Sequence, residues 1–125
     1  MFRWKVMKDR NALEPELYHA LRRLSVPASD QIEYLRKLGT FPSIDELALE
    51  LDDVIFVVRT FLSRGVLTAD EAEAIYAVSR KLKSMSGQRN ARLWTEEALR
   101  ESEDWADVRS MAASTLQSLE RTAKE

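Results

Sequence analysis

The residues whose types and spacing could do chemistry are carboxylates. Glu46, Glu50 and Asp53 follow one another at i, i+4 and i+7, so on a helix they share a face, with Asp45 and Asp52 in a second row beside them. Carboxylates one turn apart can share a divalent cation, which would make the stretch a metal-dependent hydrolase site. Metal centres in helical bundles draw ligands from facing helices, often through Glu-x-x-His, and the single histidine, His19, has no such setting. A second reading is a docking surface for a basic protein, because Leu49 and Phe56 fall inside the polar arc and add apolar anchors to it. A third is a solvated face whose two apolar members pack under the first helix.

Other chemistry is sparse. His19 lies on the helical wheel opposite Leu17, Leu21 and Leu24, which predicts an exposed side chain. No Ser or Cys nucleophile comes with a base and an orienting acid, and no glycine-rich phosphate loop or paired Cys/His spacing occurs. The absence of cysteine removes disulfide and thiolate chemistry. No catalytic residue, metal ligand or cofactor is assigned. The candidate partner-binding residues are Asp45, Glu46, Leu49, Glu50, Asp52, Asp53 and Phe56.

These residues sit in the stretch from Ile44 to Leu62, whose apolar positions 44, 47, 48, 51, 54, 55, 58, 61 and 62 mark one helix face. Ser43 with Glu46 reads as a capping box and Gly65 as the stop. Val54 to Val58 is apolar nearly all round, which predicts a helix enclosed on several sides, the centre of a bundle. Helices are expected before it at 15–24 and 29–38, the second with Ile32, Leu35 and Leu38 inward and Gly39 beyond its end. After Gly65 the short link to a capping box at Thr68 and Glu71 predicts an antiparallel hairpin with a helix over 68–85. Residues 87–94 read as a polar connection, Thr95 caps a short helix onto whose Leu99 Trp94 can staple, and Ser102 caps a last helix to about 122. Its apolar positions 105, 108, 112, 116 and 119 form a narrow seam, suited to one groove of the bundle or to a second copy in a homodimer. The three caps do not make a repeat, since the apolar patterns behind them differ. MFRWKV alternates like a short strand without a partner, so residues 1–12 read as an arm.

Charge is segregated. The net value is −2, but residues 41–78 carry eight acids against two bases, and 79–92 carry five bases, Arg80, Lys81, Lys83, Arg89 and Arg92, with no acid. That basic block can hold an acidic group, although its first three members fall where cations favour a helix C-terminus. Ser43 to Leu67 has a superficial helix-turn-helix look. The position of the turn glycine is Asp52, the reading helix would show phosphates Asp53, and the helical period runs on unbroken, so nucleic acid is excluded. No apolar stretch reaches membrane length and no secretory leader is evident, which makes cytoplasmic the expected location.

The runs PSIDELALELDD, MSGQRNARLWTEEAL and WADVR resemble a group of small bacterial helical proteins without an assigned activity, over residues 15 to about 120. The resemblance implies a compact helical bundle. Small acidic helical proteins of bacteria include immunity proteins that block a toxin's basic active site, and by analogy that role is the one expected here. The sequence reading is thus an all-α, single-domain antiparallel bundle of five or six helices. Its expected role is a non-enzymatic, immunity- or antitoxin-type protein-binding module with a basic protein partner. A metal-dependent hydrolase and a homodimeric structural protein are the alternatives.

Overall fold

The structure is a computed structural model that describes residues 15–39 and 43–124. The arm at 1–12 and the turn Thr40-Phe41-Pro42 lie outside the described residues. Those described form seven α-helices and one 3-10 helix and contain no strand. They are α1 (Pro15–Ser25), α2 (Ala28–Lys37), α3 (Asp45–Val54), α4 (Phe56–Ser63), α5 (Ala69–Ser84), the 3-10 helix (Gln88–Leu93), α6 (Glu96–Glu101) and α7 (Glu103–Lys124). The all-helical expectation holds.

The bundle is built around α7 rather than around residues 44–62. α7 packs against α1 and α5, α1 also covers α3, α6 lies on α7, and α2 rests on α6. Every residue of its narrow seam, Trp105, Val108, Ala112, Leu116 and Leu119, is buried inside this one chain. The small Ala112 lets neighbouring helices approach, and Thr115, whose hydroxyl donates to the Met111 carbonyl (2.8 Å), widens the buried face. A homodimer sealed along this seam therefore has no surface left to use.

The expected single helix over 44–62 is two helices. Val54-Ile55-Phe56-Val57-Val58 crowds β-branched side chains at successive positions, where helix propensity is weak. The ladder gives way at Ile55, whose carbonyl accepts from the Val58 amide one residue early (3.1 Å). Nor is this stretch enclosed: only Val58 of the five is fully buried, and Phe56 is 71% exposed. The break falls three residues beyond the position a helix-turn-helix requires, and Ile55 keeps right-handed backbone angles (φ −60, ψ −28). The Ser43 capping box does not form. Ile44 takes the N-cap position without a side-chain bond, and the Glu46 amide donates to the Ser43 carbonyl (3.1 Å).

Other local signals are met. At Gly65 (φ +74) the amide bonds the Leu62 carbonyl and the next amide, Val66, reaches back to Phe61 (2.8 Å). Phe61 and Val66 are both buried, which completes this helix stop. The Thr68–Glu71 capping box is present in both directions, Thr95 accepts from Ala98, and Ser102 accepts from Trp105. Leu38 corrects the expected inward face of α2, because it is 48% exposed and the buried position is Gln31 instead. The connection over 87–94 is an ordered 3-10 helix, and Trp94 sets its ring edge-on to Trp105 (centroids 5.2 Å apart, 84° between planes).

Candidate docking surface

The structure divides the acidic arc. At 100° per residue Asp45, Leu49 and Asp52 fall within about 60° of one another, Asp53 about 40° beyond, and Glu46 and Glu50 further round still. Glu50 turns towards α1 and α2. It accepts the Tyr34 hydroxyl on Oε2, and the Arg23 guanidinium stands 3.5 Å from the same oxygen. Arg23 also lies over the Tyr34 ring, 4.4 Å from its centroid. The other carboxylate oxygen, Oε1, is enclosed and accepts no hydrogen bond among the described residues. Within the run 45–53 the five carboxylates have no local base, but the fold brings Arg23 to one of them. Glu50 thus ties α3 to α1 and α2.

Burial, together with the Glu50 carboxylate that accepts its hydroxyl, pushes the Tyr34 pKa up to about 12. The folded state prefers the neutral phenol, so this contribution is complete below the unfolded value near 10 and disappears as pH climbs towards 12. We expect stability to fall over that window, and Tyr34→Phe to flatten part of the slope. Urea unfolding of both proteins at pH 8, 10 and 11 checks this. Equal slopes would show that the hydroxyl does not couple to folding.

The remaining members face outward. Asp45, Asp52 and Asp53 are exposed and make no ion pair among the described residues, and Glu46 is half-buried. Leu49 is 47% exposed, and Phe56, one turn after Asp52, is the most exposed large apolar side chain among the described residues. Neither packs under α1. His19 is exposed, as expected, and lines a shallow depression with Glu16, Arg23, Glu50, Asp53 and Val54. No group of three or more His, Asp or Glu among the described residues is placed to hold a metal.

Leu49 stands between two adjoining clefts. The larger, about 450 Å³, is bounded by Asp45, Ala48 and Leu49 on one side and by Ser86, Gly87, Gln88, Ala91 and Trp94 on the other. The smaller, about 220 Å³, runs from Leu51 and Asp52 to Ser79, Leu82 and Lys83, again sharing Ala48, Leu49 and Ser86. Trp94 is fixed there because its Nε1 donates to the Met85 carbonyl (2.7 Å). Gly87 (φ +98) turns the chain out of α5 so that the 3-10 helix can form the far wall. The sequence places Leu49 on this face but gives no sign that residues 86–94 would stand opposite, because that apposition is tertiary. Of the basic block, Arg80 pairs with Glu73, and Lys81 reaches Asp104 (2.7 Å) and Asp107 (3.8 Å). Lys83, Arg89 and Arg92 are exposed.

No family model, curated protein or solved structure matches this chain. Among the described residues no helix is long and apolar enough to cross a membrane.

Proposed function

We propose that this chain is a non-enzymatic protein-binding module of the immunity or antitoxin type, acting in the cytoplasm. It presents Asp45, Leu49, Asp52, Asp53 and Phe56 to a basic protein partner. The observation that supports this is the exposure of Phe56 and Leu49 among three aspartates that have no ion-pair partner among the described residues. An exposed aromatic anchor with charged groups around it fits the anatomy of an interface, an apolar centre inside a polar rim. Long-range attraction between the aspartates and a basic partner would speed encounter, and the apolar pair would then hold the complex.

The test is site-specific photo-cross-linking in the native host, with the reactive amino acid at position 49, at 56, or at 100 on α6 as a control. One adduct common to 49 and 56, absent at 100 and lost when Asp45, Asp52 and Asp53 are all changed to lysine, is the expected result. Adducts no different from those at position 100 would sink the reading.

A further inference from the structure

The two clefts beside Leu49 carry the reading above one step further, to the kind of segment the partner contributes. They adjoin, with Ala48, Leu49 and Ser86 lining both. Side chains at i and i+4 on a helix stand about 6 Å apart on one face, the spacing that sends two of them into neighbouring clefts.

Charge fixes the flanks. Asp45 lines the larger cleft and Asp52 the smaller. They are seven residues apart in α3, which sets them about 10 Å apart along one edge. Lys83, which makes no ion pair with either aspartate among the described residues, is the one base of the lining, so the double cleft keeps a net charge of −1. An acidic or neutral occupant would leave the aspartates of that edge uncompensated.

We propose, resting on the protein-binding role above, that the double cleft receives an amphipathic basic helix of the partner. It would lie alongside α3, with two apolar side chains one turn apart in the clefts and two bases, seven residues apart, meeting Asp45 and Asp52.

A fluorescein-labelled synthetic helix of leucine and lysine, with leucines at i and i+4 between lysines seven positions apart, serves as the probe. Its control replaces the leucines with alanine at the same charge. Anisotropy titration is expected to give saturable binding of the leucine peptide and at least about tenfold weaker binding of the control. Ala91→Phe fills the larger cleft from an exposed position and should weaken the leucine peptide by a similar factor. The pair Asp45→Lys and Asp52→Lys should do the same, with circular dichroism confirming that every variant is folded. Binding that changes less than about twofold in Ala91→Phe overturns the inference, since the peptide would then be held by charge alone. Absence of peptide binding alongside a retained adduct from positions 49 and 56 overturns it too, while leaving the protein-binding role intact. Loss of both removes both. A dimer mass by sedimentation that Leu49→Glu converts to monomer assigns the clefts to a second copy and likewise overturns it.

Discussion

Trp105→Ala is expected to lower the melting temperature by on the order of 10–20 °C. Among the described residues Trp105 is the largest fully buried side chain, with 0% of its surface exposed. Its removal loses the burial of an indole and leaves a cavity, a change that costs about 3–5 kcal/mol in cores of this kind. It also takes away the Nε1 bond to the Leu93 carbonyl (2.6 Å) and the edge-on contact with Trp94. The Leu93 carbonyl ends the 3-10 helix, so the loss reaches the wall of the larger cleft as well as the core. Trp105→Phe keeps an aromatic ring but not the donor, and should fall between, at about 1–3 kcal/mol. Thermal unfolding followed by circular dichroism measures both. A shift of only a few degrees for the alanine variant would show that α7 does not organise this bundle.

Gln31→Leu should be nearly as damaging although it keeps the volume and adds apolar surface. Gln31 is fully buried, and its amide donates to the Arg23 and Leu24 carbonyls (2.9 and 3.2 Å). Those carbonyls lie in the last turn of α1, where the helix has no amide of its own to offer. The amide oxygen accepts from Arg109, whose Nη1 also donates to the Leu99 carbonyl in α6 (2.9 Å). Burial holds the Arg109 pKa below its usual range, because the cation has lost part of its hydration. Leucine at 31 orphans two carbonyls and half-strips a partly buried cation, with an expected cost of about 2–4 kcal/mol. The same change made in an Arg109→Met background should cost less, because the cation is no longer there to be stripped. Equal costs in the two backgrounds would mean that the three helices are not joined through this amide.

What the sequence disclosed follows from which forces are local. Helix starts at Thr68, Thr95 and Ser102 and the stop at Gly65 depend on groups within six residues of one another, so they could be read directly. The narrow seam of α7 was also legible, but its rank in the bundle was not. A wide apolar stripe over 44–62 looks more central than a thin one, yet β-branched crowding splits the former, while Ala112 lets helices close on the latter. Gln31 did leave a trace, since it stands four residues before Leu35 on the apolar stripe of α2. A polar residue on a buried stripe signals hydrogen bonding to something, although only the fold names the carbonyls of α1. The site was half visible. Asp45, Leu49, Asp52 and Asp53 are surface residues, as their arc of the wheel required, and Phe56 is exposed although it stands in the run 54–58 that read as enclosed; Glu50 is drawn away by Arg23 and Tyr34 from elements distant in the chain. The far wall from Ser86 to Trp94 could be foreseen from no pattern within itself.

The break at Ile55 bears on how tightly any partner can be held. Leu49 is carried by α3, which α1 and α5 brace, while Phe56 opens α4, which packs on α5. The two anchors therefore ride on separate segments, and the backbone angles of Ile55 (φ −60, ψ −28) set the offset between them. Both segments are braced on α5, so a partner that grips both anchors must match that offset. A substitution that straightened the joint should lower affinity even though it touches no partner atom.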